Sequence, residues 1–334
     1  MSGGVARVWV RQALAEGEPC VSGEPEREDG HGVAEPCLTG PYPRQAPDFA
    51  SRGPDKAAID WRFMHKVHID HRESMIKENM GRVKQKFLIM SNKGGVGKST
   101  IAVNFAALLA ARGLKTGLLD IDIHGPSVAR MTGQEGKAHG SDGQLIDPIE
   151  AAPNLKMISM GTVMKDGDAP LIWRGPLKLG VLKQFLADVR WGDLDALVID
   201  APPGTGDEPL TICQLIPEMT GAVVVTTGQA VALLDSRKAV NFLKTVGVPV
   251  LGILENMTAF HCPHCGGGIN LFKTGGGAQA AGEMGVPFLG SVPFDPAMVD
   301  AGDAGKFYAV ENPASPPAAA IAAALEAALA GAKK

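Results

Sequence analysis

The sequence contains few cysteines, has only a small net charge and lacks long apolar runs. Each of these features excludes a class of protein. Five cysteines in 334 residues are not the framework of a disulfide-stabilised secreted domain. A formal net charge of −4 gives no overall positive field for nucleic acid or for an anionic membrane surface. No apolar run reaches the roughly 18–20 residues that span a bilayer, and no secretory signal opens the chain. We therefore expect a cytoplasmic protein with no nucleic-acid or membrane partner.

The first 60 residues differ in composition from the remainder. Seven of the 24 prolines fall before residue 55, among glycine and charged residues and with little apolar periodicity. Such a composition cannot bury enough apolar surface to offset chain entropy. We expect residues 1–60 to be a disordered leader, residues 61–83 a helical lead-in and residues 84–330 the folded domain.

From residue 86 onwards, short apolar runs alternate with helical patterns. Helices are predicted at 99–112, 178–189 and 236–246, and in the alanine-rich end of the chain. The apolar runs are continuous rather than alternating, as in parallel strands covered on both faces. They are KFLIMS, TGLLDID, LKMISM, DALVID, AVVVTT, VPVLGILEN and VPFLGSVPF. The pattern predicts an α/β fold with a doubly wound, mostly parallel sheet and ligands at the carboxyl ends of the strands.

The stretch SNKGGVGKST, residues 91–100, follows the first predicted strand and opens a predicted helix. In that setting, backbone N–H groups and the helix N-terminus face the phosphates of a nucleotide. Lys98 is expected to reach the β- and γ-phosphates and Ser99 to ligate Mg²⁺. The phosphate site predicted from this motif comprises Gly94, Gly95, Val96, Gly97, Lys98, Ser99 and Thr100.

A second lysine, Lys93, precedes the glycines. The order Lys-Gly-Gly-x-Gly-Lys-Ser/Thr is that of a deviant Walker A motif. In that class the early lysine reaches the nucleotide of a second subunit, so that two chains enclose two ATP molecules. The alternative is a solvated loop lysine.

Two of the predicted strands end in aspartates beside this loop. Asp200 lies where an acid would hold the Mg²⁺ shell, and Asp122, two residues after Asp120, is our candidate for positioning the attacking water. Either acid could instead be a strand-end cap.

Six stretches occur in an order that resembles the Mrp/ApbC-like P-loop ATPases, which are iron–sulfur cluster carriers of the MinD-like group. They are SNKGGVGKST, LLDIDIHGPS, WRGPLK, WGDLDALVIDAPPGTGDEPLT, ILENM and CPHC, within residues 84–294. The resemblance implies ATP and Mg²⁺ at residues 94–100 and a slow, switch-like hydrolysis. It also implies catalytic roles for Lys93, Lys98 and Asp122, and a Walker B position for Asp200.

The same resemblance bears on two asparagines. Asn256 matches a residue that contacts adenine in related ATPases, although a strand-end cap is an equal alternative. Asn92 stands where the family usually has glycine.

A pair of cysteines, Cys262 and Cys265, lies in the sequence FHCPHCGGG. A two-fold axis would present this pair twice, and four thiolates suffice for a 4Fe–4S cluster between two subunits. The resemblance implies the same arrangement, with the metal loop at residues 260–268. A bridging Cys₄ zinc site and a structural or redox-active Cys-x-x-Cys remain open.

The sequence therefore favours a homodimeric ATPase that binds a labile 4Fe–4S cluster and transfers it to apo iron–sulfur proteins. The alternative is a MinD/ParA-like positioning ATPase with a structural zinc knuckle. That alternative requires a basic amphipathic C-terminal helix or a basic patch, whereas the alanine-rich end carries few charges.

Overall fold

The computed structural model describes most of the chain after residue 71. The described residues are 72–122, 125, 127–143, 145–163, 175–261, 265, 267–270 and 272–333. The predicted leader, the first part of the predicted lead-in and Cys262 lie outside them. The first described element is a helix over residues 72–81, here called α1.

The described residues contain ten strands. Their bounds are β1 Val83–Met90, β2 Thr116–Asp120, β3 Ile149–Ala152, β4 Leu155–Ser159, β5 Leu194–Asp200, β6 Gly221–Thr226, β7 Val250–Glu255, β8 Phe260–His261, β9 Gly268–Ile269 and β10 Phe288–Ser291.

The helices that follow α1 connect these strands or close the domain. Their bounds are α2 Lys98–Ala111, α3 Val128–Met131, α4 Met160–Val163, α5 Gly175–Asp188, α6 Asp207–Leu215, α7 Ala230–Val246, α8 Gly276–Met284, α9 Pro296–Asp303, α10 Tyr308–Glu311 and α11 Pro316–Gly331. Among the described residues, no helix has both the length and the apolar character to cross a membrane.

Eight strands form one sheet in the order β10-β7-β6-β1-β5-β2-β4-β3. All neighbours pair in parallel except β3 with β4. The seven predicted strands all lie in this sheet, so the predicted fold class is confirmed. The edge strand β3 was not predicted, because its four residues, IEAA, are mostly half-buried and form no apolar run. The hairpin β8–β9 was also missed, since strands of two residues carry no periodicity.

The predicted helices are confirmed as α2, α5, α7 and α11, with one substantial correction. The helix predicted at 236–246 begins at Ala230, because AVALLD continues the helical pattern back to Gln229, which stands at the N-cap. The closing helix starts at a cap in which the Ser315 side chain accepts the Ala318 N–H, followed by proline in the first turn.

Two apolar layers cover the two faces of the sheet. On β1, Leu88 and Met90 pack in a layer with α1, α5, α6, α7 and α8. Phe87 and Ile89 face the other way and pack with α2, α9, α10 and α11. This arrangement explains the continuous apolar runs, because successive residues of a strand point to opposite faces and both faces are buried.

The carboxyl ends of the central strands meet at one edge of the sheet. In the β1–β5 register Ile89 lies opposite Asp200, and in the β2–β5 register Asp120 lies opposite Asp200. The segment after β1 and the acids that end β2 and β5 are therefore neighbours in space.

Candidate functional site

The glycine loop, residues 91–97, connects β1 to α2. Gly95 and Gly97 have φ angles of 79° and 81°, in the left-handed region that favours glycine. At Gly97 an added Cβ would lie 2.3 Å from Nδ2 of Asn256. Only glycine therefore satisfies both the backbone conformation and the close approach at this position.

Lys98, at the start of α2, brings together the groups predicted from the motif. Its side chain is only 6% exposed, and Nζ lies 2.5 Å from Oδ1 of Asp200 and 3.9 Å from Oδ2 of Asp122. It also donates to Oγ of Ser99 at 3.1 Å. A lysine buried among two carboxylates and a hydroxyl forms a preorganised ionic cluster.

The acid Asp120 is a member of this cluster to which the sequence interpretation gave no role. It is fully buried, accepts a hydrogen bond from Ser159 Oγ at 2.6 Å and another from the backbone N–H of Asp122 at 2.9 Å. Burial, followed by the neighbouring Asp200, raises its pKa to about 8. Burial thus favours the neutral, protonated form of the Asp120 carboxyl. The sequence feature that could have indicated this role is the position of Asp120 at the end of a predicted strand, and the structure places it opposite Asp200.

Asp200 is also fully buried. Burial raises its pKa, while the ammonium of Lys98 and the Ser99 hydroxyl act in the opposite direction. Its Oδ1 pairs with Lys98, whereas Oδ2 is buried without a hydrogen-bond partner among the described residues. Carboxylate and hydroxyl oxygens are the ligands that Mg²⁺ prefers, so Asp200 and Ser99 form a donor pair that fits this ion.

The two residues before the glycines lie against α7. Asn92 Nδ2 donates to Asp235 Oδ1 at 2.9 Å, so the residue that replaces the usual glycine tethers the loop to this helix. Lys93 is exposed, and its Nζ lies 3.5 Å from Oε1 of Gln229. Lys93 thus stands apart from the buried cluster around Lys98.

A small cavity of about 120 Å³ lies beside the start of α2. Its lining includes Thr100, Asn256, Met257, Phe294 and Met298. Asn256 Nδ2 donates to the carbonyl of Val96 at 2.9 Å, and its buried Oδ1 has no partner among the described residues. Met257, Phe294 and Met298 were missed from the sequence, because apolar residues from two loops and the separate helix α9 carry no common motif. The lining is mainly apolar but also includes Thr100, Asp295 and Asp303, and such a cavity suits a flat aromatic group that donates a hydrogen bond.

The cysteine hairpin, residues 260–269, stands outside the main sheet. Phe260 pairs with Ile269 and His261 with Gly268, in antiparallel register. Cys265 is an exposed free cysteine. The Phe260 ring makes an edge-to-face contact with Phe294, with centroids 5.8 Å apart, so the hairpin rests on the segment that lines the cavity.

The fold and the ionic cluster together define a P-loop NTPase: a glycine loop between a central parallel strand and a helix, a buried lysine, and acids at two neighbouring strand ends. A solved structure of the nucleotide-binding protein from Archaeoglobus fulgidus in complex with ADP is similar, with a TM-score of 0.63 and 33% identity over 74% of this chain and 95% of that one. The cell division ATPase MinD from Pyrococcus furiosus shares the fold, with a TM-score of 0.52, 22% identity and coverage of 73% and 98%.

The family is shown by the sequence comparisons. The family model for the ParA group described as NUBPL iron-transfer P-loop NTPase matches residues 82–329. A protein of Methanocaldococcus jannaschii named iron–sulfur cluster carrier protein is 47% identical over 70% of this chain and 81% of its own length. One of the same name from Saccharolobus solfataricus is 44% identical over 72% and 81%. The chain belongs to the NUBPL iron-transfer P-loop NTPase family, which confirms the resemblance seen in the sequence.

Proposed function

We propose that this chain is a homodimeric ATPase that binds a labile 4Fe–4S cluster as cargo and transfers it to apo iron–sulfur proteins. The observation that carries the proposal is the exposed Cys265, on a hairpin beside a P-loop site. Support comes from relatives at 44–47% identity that are named iron–sulfur cluster carrier proteins.

The nucleotide part of the proposal uses residues 94–100. Lys98 would exchange its contact with Asp200 for the β- and γ-phosphates of ATP, and Thr100 would bind a further oxygen. Ser99 and Asp200 would hold Mg²⁺, which offsets phosphate charge when it is bound. The buried oxygen of Asp200 without a partner supports this role. The adenine would enter the cavity lined by Met257 and Met298, where Asn256 would contact it.

The hydrolytic part of the proposal assigns two further residues. Asp122 would orient the attacking water, since its carboxylate lies beside Lys98, where the γ-phosphate would be bound. Lys93 would contact the nucleotide of the second subunit, because it is exposed at the tip of the glycine loop and outside its own subunit's ionic cluster.

The cargo part of the proposal assigns two thiolates to each subunit. Cys262 and Cys265 of both subunits would supply the four ligands of a cluster on the two-fold axis. An exposed hairpin allows the cluster to be received and released, as a carrier requires.

The test is anaerobic reconstitution with iron and sulfide, followed by the visible spectrum, the iron content and transfer to an apo acceptor. The matched control is Cys262→Ala with Cys265→Ala. We expect a brown protein with about four irons per dimer, lost in the control and transferable to the acceptor. A colourless protein with about one zinc per dimer would instead support the positioning ATPase with a structural zinc knuckle.

A further inference from the structure

Glu255, the last residue of β7, is a buried carboxylate at the base of the cysteine hairpin. Its side chain is 0% exposed. Oε1 accepts the N–H of Gly275 and Oε2 the N–H of Gly277, each at 3.0 Å. Gly277 lies in the first turn of α8, where free N–H groups and the helix dipole favour a negative charge. The carboxylate therefore fixes the point at which the chain returns from the hairpin into the domain.

The glycine run of TGGGAQ, residues 274–279, fits this contact. At Gly277 an added Cβ would lie 2.8 Å from Cβ of Glu255, so a larger residue would displace α8 from the carboxylate. Burial raises the pKa of Glu255, and hydrogen bonds from the backbone N–H groups of the glycine run act against that rise. The glycine run thus has the small size and the free N–H groups that the Glu255 carboxylate requires.

The next residue, Asn256, holds the glycine loop. Its Nδ2 donates to the Val96 carbonyl at 2.9 Å, and its backbone N–H donates to the carbonyl of Thr226 in the neighbouring strand at 2.7 Å. Two consecutive residues thus form hydrogen bonds to two different parts of the molecule. Asn256 holds the loop before α2, and Glu255 holds the return of the cysteine hairpin.

The first end of the hairpin is held separately. The backbone N–H of Thr258 donates to the carbonyl of Val292 at 3.1 Å, and the Phe260 ring packs on Phe294. The segment after β10 holds this end, whereas the two hydrogen bonds of Glu255 join the return of the hairpin to the end of β7. A hydrogen-bonded route from the glycine loop to that return runs from Val96 through Asn256 and Glu255 to Gly275 and Gly277.

We propose that Glu255 is a positioning residue that transmits nucleotide occupancy at the glycine loop to the return segment of the cysteine hairpin. This inference rests on the proposed function. A shift of the Val96 carbonyl on nucleotide binding moves Asn256, and the adjoining Glu255 passes that shift to the amides that it holds. Nucleotide then changes how firmly the hairpin is held, and with it the retention of the cargo.

The first test uses full-length protein without cluster, so that it does not depend on the cargo. Amide hydrogen exchange of the segment 270–284 is measured with and without ADP and Mg²⁺. In the wild type we expect ADP to slow exchange at residues 275–277 by about threefold or more. In Glu255→Gln the ADP effect on this segment should vanish while ADP affinity stays within about twofold. Gln keeps the size of the side chain but can accept only one of the two N–H groups well.

The matched control is Ser315→Ala, which removes a helix cap at the start of α11. This variant should keep the wild-type ADP effect on residues 275–277. If the wild type shows no ADP effect there, or if Glu255→Gln keeps the full effect, the inference is overturned. Should Glu255→Gln fail to fold, Glu255→Asp shortens the reach by one methylene and is judged by the same two outcomes.

The second test measures release of iron from reconstituted protein to a chelator. The ratio of release rates with and without ADP should differ from 1 in the wild type and return to about 1 in Glu255→Gln. A wild type that takes up no cluster would refute the proposed function and leave the exchange result standing. A wild type that takes up cluster but shows no ADP effect on release would refute the inference alone.

Discussion

The ionic cluster around Lys98 and the cysteine hairpin differ in almost every physical respect. The cluster is buried, with Asp120 and Asp200 fully inaccessible, and it is built on the ends of central parallel strands. The hairpin has strands of two residues, lies outside the main sheet and exposes Cys265. Charges that must be placed accurately are held by the core of the sheet, whereas a thiol that exchanges cargo must remain accessible.

The two regions nevertheless contact the same neighbouring segments. Phe294 lines the cavity beside α2 and packs against Phe260 of the hairpin, while β7 ends at Glu255 and is followed by Asn256. The difference in burial indicates which substitutions should alter ATP hydrolysis alone and which should alter cargo binding alone. Substitutions in the cluster should change hydrolysis without removing cargo binding, and substitutions in the hairpin should do the reverse.

The largest expected effect is that of Lys98→Ala. Under the proposed function it should reduce ATP hydrolysis by about 100- to 1,000-fold, because a charge that stabilises the transferring phosphoryl group is lost. It should also lower the free energy of unfolding by about 3–5 kcal/mol, since Asp200 loses its buried partner. Steady-state hydrolysis and chemical denaturation are the measurements. The iron content after reconstitution should be unchanged; loss of iron as well would show that the two regions cannot be separated.

Asp122→Asn should have the next largest effect. We expect hydrolysis to fall by about 100-fold with little change in nucleotide affinity, because the carboxylate is assigned to the attacking water rather than to binding. Single-turnover kinetics and calorimetric titration with ADP separate the two quantities. A large loss of affinity with unchanged turnover would move Asp122 to a binding role.

Asp120→Asn should change the pH dependence of stability. The pKa of Asp120 in the folded state is about 8, against an ordinary value of 3.8, so the folded state keeps a proton that the unfolded state releases. The free energy of unfolding from this group is therefore lost as pH rises from about 4 to about 8, by at most about 1.4 kcal/mol per pH unit. Urea denaturation from pH 5 to 9, without nucleotide or Mg²⁺, should show a shallower slope in Asp120→Asn. Equal slopes would mean that another group holds the proton.

The smallest effect is expected from Phe260→Leu in the hairpin. Loss of the edge-to-face contact with Phe294 should cost about 0.5–1.5 kcal/mol in local stability beyond the area effect. The reconstituted cluster should be released to a chelator faster, with ATP hydrolysis unchanged. Slower hydrolysis would instead show that the hairpin helps to shape the neighbouring cavity.

Much of this architecture could be predicted from local sequence. The seven apolar runs predicted seven of the eight strands of the sheet, because strands covered on both faces are rich in consecutive apolar residues. Residues 87–98 predicted the phosphate loop, because a strand, a glycine run and a lysine follow one another within a few residues. The edge strand β3 and the hairpin β8–β9 escaped because half-exposed or two-residue strands have no periodic signal.

The sequence by itself determined the kind of fold, the glycine loop and the acids available to it, since these follow from patterns within a few residues. Only the tertiary structure decided which acids face Lys98, that Asp120 lies buried beside Asp200, and that Glu255 binds the return of the hairpin. The contact between Asn256 and Val96 joins residues 160 positions apart, and no local pattern encodes such a pair. Strand order and register bring these residues together, and burial then shifts the pKa values of the acids among them.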